Sequence, residues 1–141
     1  MAIRTLGFRI PFLMQVRPTF LVVEPEPGHA LSTRKILLET AKFNVITAHS
    51  WLEASALFGL FPAVNGVIVT NEVDDGISSD DFAHVVRTKN PKMPIIVIGD
   101  SLGIESAQPT YRIPPYEPEQ LILLLRELFG DPRPFDSEQQ Q

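Results

Sequence analysis

Thr19-Phe20-Leu21-Val22-Val23 runs directly into Glu24-Pro25-Glu26-Pro27-Gly28. The first five residues are β-prone and apolar without polar alternation, as in a strand covered on both faces; the next five are turn formers. The pairing recurs along the chain. Gly66-Val67-Ile68-Val69-Thr70 and Pro94-Ile95-Ile96-Val97-Ile98 are two more unbroken apolar runs, Phe43 to Ala48 reads as another strand, and Tyr111-Arg112-Ile113 as a short fifth. Helical patterns fill the intervals. Over 29–41, Ala30, Leu31, Leu37, Leu38 and Ala41 fall on one side at 3.6-residue spacing. Ser50-Trp51-Leu52-Glu53 is a capping-box pattern, with Ser50 as N-cap and Glu53 reaching back. The helix it opens carries Ala54, Leu57, Phe58 and Phe61 on one face and stops at Pro62. A helix near 80–89 turns Phe82, Val85 and Val86 inward, and Pro118 sits in the first turn of a last helix, 118–129.

Strands that alternate with helices and are apolar throughout imply a parallel sheet with helices on both faces. Right-handed crossovers leave few topologies. The economical one is α/β, three-layered, with a doubly wound five-stranded parallel sheet of flavodoxin type. Ligand chemistry in such sheets gathers at the carboxyl ends of the strands. Here those ends are Glu24 to Pro27, Ala48 to Ser50, Thr70 to Asp75, Gly99 to Ser101 and Pro114 to Tyr116.

The chain has 141 residues, 44% of them hydrophobic, enough for one domain with a real core. It has no cysteine, which excludes disulfides, cysteine metal sites and thiol catalysis. Its formal net charge of −5 disfavours a nucleic-acid partner. No apolar run is long enough to span a bilayer, and a cytoplasmic location is the expectation. Residues 1–18 read as an extension whose basic residues are Arg4, Arg9 and Arg17, with a short apolar patch from Ile10 to Met14. It either packs on the domain, stays mobile or precedes a true start at Met14; a membrane-surface anchor is a further alternative. Residues 19–130 form the domain, and 131–141 read as a disordered tail.

Three stretches resemble a known family. Leu21-Val22-Val23-Glu24-Pro25-Glu26-Pro27 resembles the first strand and acidic turn of response-regulator receiver (CheY-like) domains. Pro94-Ile95-Ile96-Val97-Ile98 resembles their fourth strand. Pro115-Tyr116-Glu117-Pro118-Glu119-Gln120-Leu121 resembles the stretch opening their last helix. The similarity runs from about Thr19 to Phe129. The resemblance implies a chemistry in which a histidine kinase passes a phosphoryl group to an aspartate. Two acids after the first strand help hold Mg²⁺, and a Thr or Ser and a Lys bind the phosphoryl oxygens.

Carried over position by position, the acid pair falls on Glu24 and Pro25. The acceptor falls on Thr70, the hydroxyl residue on Gly99 and the lysine on Pro114. A slip of one at Thr70-Asn71 supplies no carboxylate either. A threonine hydroxyl is a poor nucleophile without a base to activate it. The chain is therefore expected to be a degenerate, pseudo-receiver domain without the phosphoacceptor aspartate. Only 15 positions separate Gly99 from Pro114, so the family's fourth helix is expected to be short or absent. Tyr111 falls at the family's switch aromatic, while its hydroxyl partner is replaced by Gly99.

Other candidate sites are thin. Glu24 and Glu72, with Glu26 and Asp100, could form a residual Mg²⁺ or Ca²⁺ site; the alternative is solvated loop acids capping nearby helices. Otherwise no cofactor is expected. His29, His49 and His84 lack metal-ligand spacing, and no glycine-rich phosphate loop or nucleophile elbow is present. The last helix has more apolar residues than one face needs. Leu121, Leu124, Leu125 and Leu128 suffice for a core, so Ile122, Leu123 and Phe129 are candidates for contact with a protein partner or a second copy, or for cover by the N-terminal extension. The expected function is a non-enzymatic, stand-alone receiver-like signalling module of a two-component system, independent of phosphorylation and acting by protein contact. The alternatives are a phosphorylatable regulator with an unconventional acceptor, and a flavodoxin-like small-ligand binder.

Overall fold

A computed structural model describes residues 17–25, 33–70, 79–99, 110–115 and 117–132. Within them lie strands β1 (Thr19–Val23), β2 (Asn44–Ala48), β3 (Gly66–Thr70), β4 (Ile95–Ile98) and β5 (Thr110–Ile113). The helices are α1 (Thr33–Thr40), α2 (Trp51–Leu60), α3 (Ser79–Lys89) and α4 (Pro118–Phe129). All strand pairs are parallel, in the order β2-β1-β3-β4-β5. The doubly wound sheet expected from the sequence is the one observed. The expected extension up to residue 16, the family helix expected to be short or absent between β4 and β5, and the expected tail from residue 133 onward lie outside the described residues.

Side-chain alternation splits the core into two layers. Leu21, Val23, Val67, Val69, Ile95 and Val97 face α2 and α3, where they meet Trp51, Ala54, Phe58, Phe82 and Val86. Phe20, Val22, Ile68, Ile96, Ile98 and Ile113 face α1 and α4, where they meet Leu38, Leu121, Ile122 and Leu125. Phe20 is the keystone of the second layer. Its ring meets Phe43 edge-on at 5.3 Å and Phe129 at 5.1 Å. Gly66 makes room for this trio, because a Cβ there would lie 3.2 Å from the Phe20 ring.

Helix ends follow local chemistry. Ser50 is extended, and its Oγ accepts the Glu53 N–H at 2.9 Å. The reciprocal arm differs from the expected box: the Glu53 carboxylate takes the N–H of His49 at 2.8 Å. That N–H lies one residue before the cap, so the carboxylate reaches one residue further back than in the usual box. At the end of α1, Phe43 N–H bonds Leu38 O and Lys42 N–H bonds Glu39 O, both at 3.0 Å. This is a Schellman closure, with Lys42 at φ 75° in the place glycine usually takes. Arg87 ties α3 to the loop before β4 and to the start of the edge strand β5: its guanidinium donates to Met93 O, to Pro91 O at 3.3 Å and to Thr110 Oγ1 at 3.2 Å. Burial lowers the Arg87 pKa from its ordinary value.

Three expected side-chain placements change. Phe61, expected on the inner face of α2, is 49% exposed. It is the C-cap, with φ −128° and ψ 64°, so its side chain leaves the helical path. Ile122 and Phe129, expected as surface contacts, belong to the core: Ile122 is buried and Phe129 packs on Phe20. Among the described residues, α1 and α4 alone cover that face of the sheet, so α4 buries a wider arc than four leucines. Of the three interface candidates, Leu123 alone is exposed, at 63%.

Candidate functional site

The carboxyl ends of the strands are held by hydrogen bonds that extend the ladders. Glu24 N–H donates to Ala48 O at 3.0 Å, and Gly99 N–H donates to Ile113 O at 2.9 Å. Val23 pairs with Val69, Thr70 with Ile98, and Ile98 with Ile113. Glu24 and Thr70 are therefore level with Ile98 and Ile113, while Gly99 and Pro114 stand one residue further out. The five positions assigned from the sequence do gather at one edge of the sheet, but in two rows.

Alternation points Glu24 and Thr70 to the side of Val22 and Ile68, beneath α1 and α4. Glu24 is 3% exposed, and its Oε1 accepts from Arg34 Nη1 at 3.1 Å. Arg34 lies in the first turn of α1, so the crossover after β1 returns a guanidinium to the acid that ends the strand. Burying a carboxylate demands such a partner. His49 braces the same corner: its Nδ1 lies 3.1 Å from Glu24 O, and since a carbonyl only accepts, Nδ1 carries the proton.

Thr70 is 1% exposed, and its Oγ1 has no hydrogen-bond partner. A hydroxyl in that setting has neither solvent nor a hydrogen-bonding group to satisfy it. The following residue, Asn71, lies outside the described residues, as do Glu26, Glu72 and Asp100. Pro25 follows Glu24 and brings no second acid. Gly99 has φ 104°, a conformation in which a serine or threonine would be strained. Pro114 is exposed and carries neither a cation nor an N–H. Tyr111 is half-buried against the α1/α4 layer.

The described donors alone do not suit a divalent cation. Glu24 already binds a guanidinium, its neighbour is proline, and among the described residues no three His, Cys, Asp or Glu side chains come together as a metal site. The ion pair between Arg34 and Glu24 was not legible in the sequence. The two residues are ten apart in the chain, and only the placement of α1 beside the end of β1 brings them together. Also among the described residues, no helix is long and apolar enough to cross a membrane.

No protein-family model matches the chain, and no curated protein sequence matches it significantly. Solved structures do match. A response regulator receiver protein from Sinorhizobium medicae WSM419 superposes with a TM-score of 0.68 at 23% identity, over 84% of this chain and 98% of that one. The receiver domain of NtrC4 from Aquifex aeolicus gives 0.64 at 20% identity, over 81% and 98%. The chemotaxis response regulator CheY4 of Vibrio cholerae gives 0.63 at 19% identity, over 80% and 99%. The chain has the fold of response-regulator receiver domains.

Proposed function

We propose that this chain is a receiver-like signalling module of a two-component system that works through protein contact and does not carry an aspartyl phosphate. The observation that carries this reading is the buried pairing of Glu24 with Arg34 at 3.1 Å. The resemblance places one of the two metal-holding acids at Glu24. Here that acid is committed to a cation of the chain itself. A divalent ion recruited to the same oxygen would face the guanidinium's repulsion.

The neighbouring positions support the reading. The buried Thr70 hydroxyl has no hydrogen-bond partner to activate it as acceptor, the Gly99 backbone disfavours a hydroxyl residue, and Pro114 supplies no cation. A relay through Tyr111 would lack its hydroxyl partner. The output must then pass through surfaces presented constitutively.

The test is phosphoryl uptake. The full chain is incubated with acetyl phosphate and Mg²⁺, its folded state is checked by circular dichroism, and its intact mass is measured before and after hydroxylamine. No hydroxylamine-sensitive adduct is expected. One such adduct per chain would overturn the proposal and establish a phosphorylatable regulator with an acceptor elsewhere at the strand ends.

A further inference from the structure

Helix α2 is apolar on both of its sides. Trp51, Ala54 and Phe58 are buried in the core, while Leu52, Ala56, Gly59 and Leu60 lie on the outer face at i, i+4, i+7 and i+8. Leu52 is 66% and Leu60 71% exposed. The space over Gly59 is open: a Cβ there would meet nothing within 4 Å. The helix has one charged residue, Glu53, and its carboxylate is occupied by the His49 N–H. The apolar surface continues beyond the helix through the exposed Phe61, Pro62 and Ala63. A helix apolar all round normally has protein on all sides. The outer faces of the helices in the other layer differ. On α1, Ile36 stands among Lys35, Glu39 and Thr40; on α4, Leu123 stands among Glu119, Gln120 and Glu127.

We infer that residues 3–16 of this same chain cover the outer face of α2. The geometry of the turn after α2 points to them. Asn65 N–H donates to Thr19 O at 2.7 Å, and Thr19 N–H donates to Asn65 Oδ1 at 2.9 Å. This double clamp fixes the start of β1 beside the exposed stretch Phe61 to Ala63, so the chain upstream of Arg17 leaves the fold next to the lower end of the patch. From there α2 rises about 15 Å, a span that about five extended residues cover at ~3.3 Å each. Sixteen residues precede Arg17, so reach is ample.

Composition fits as well. Ile3, Leu6, Phe8, Ile10, Phe12 and Leu13 offer apolar side chains, and the segment has no acid. Residues 3–16 hold Arg4 and Arg9 and no acid, so the segment is at +2 and the rest of the chain, at −5 − 2 = −7, attracts it.

The experiment is hydrogen–deuterium exchange read by mass spectrometry on the full chain, the Leu60→Glu variant and the Phe12→Asp variant, across a range of protein concentration. In the parent chain the amides of residues 5–16 are expected to exchange at least about tenfold slower than in a free peptide of the same sequence. Both substitutions should return them to the peptide's rate while α4 stays protected. Leu60 is exposed, so its variant should fold; if it does not, Phe12→Asp carries the test from the segment's side. Peptide-like exchange in the parent chain overturns the inference. So does protection that survives both substitutions, which would place the segment elsewhere. Protection that appears only as a dimer forms would give the face to a second copy and overturns it equally.

Discussion

Replacing Thr70 by valine is expected to stabilise the protein. In the folded chain the Thr70 side chain is 1% exposed, and its Oγ1 has no hydrogen-bond partner. In the unfolded chain the same hydroxyl is hydrated, so folding bears an uncompensated desolvation cost of about 1–3 kcal/mol. Valine has nearly the same shape, so the substitution leaves no cavity and adds no bulk, and it is at home in a central strand. The net gain should be about 1–2 kcal/mol. With an unfolding slope of about 1.5 kcal/mol per molar urea, the midpoint should rise by about 1 M at unchanged slope. Thr70→Ser keeps the hydroxyl and loses the methyl, and should cost about 1 kcal/mol. Thr47→Val removes another unpartnered hydroxyl from an only half-buried residue, and should gain less than Thr70→Val. An unchanged or lower midpoint for Thr70→Val would refute the reasoning. It would show that the hydroxyl is satisfied in solution and would reopen Thr70 as a functional group.

Other outcomes follow from the same packing. Lys42→Gly should add about 1 kcal/mol, because φ 75° is strained for lysine and free for glycine, whereas Lys42→Ala should bring no gain; paired thermal melts distinguish the two. Ser50→Ala should lose about 1 kcal/mol by removing the acceptor of the Glu53 N–H, readable as an earlier urea midpoint. Gly66→Ala should cost about 1–3 kcal/mol, since the new methyl meets the Phe20 ring at 3.2 Å while Phe43 and Phe129 hold that ring from either side. A neutral melt for Gly66→Ala would mean that the aromatic trio can shift.

Much of the scaffold is legible in the residues themselves. The β3 and β4 segments are covered on both faces, so they read as unbroken apolar runs with no ambiguity of period. The last helix starts at Pro118 and ends before Gly130, and both punctuation marks act locally. Legibility falls where an outcome depends on another element. Phe61 continues the apolar period of α2, yet the helix stops at Leu60 and turns it outward. Ile122 and Phe129 look like surplus on an isolated α4. Phe129 becomes core because Gly66, far earlier in the chain, leaves space beside Phe20, and Ile122 because the packed α4 buries a wider arc than its leucines alone. Lys42 carries no sign of its left-handed backbone, because the closure is imposed by Leu38 and Phe43 packing into the core.

The candidate site divides the same way. At the positions matched by the resemblance, the residues can be read off directly: Glu24 and Pro25 where two acids are expected, Pro114 where a lysine is expected, and no carboxylate at Thr70 or Asn71. Side-chain identity is a local property, and the order of strands and helices follows from local periodicity. What surrounds those groups depends on the packing of distant elements. That packing paired Glu24 with Arg34, buried the Thr70 hydroxyl without a partner, set Thr70 one row below Gly99, and left α2 apolar toward the outside. Each of these depends on the register between distant elements, which is set by how the two core layers fill and not by any residue's own preference.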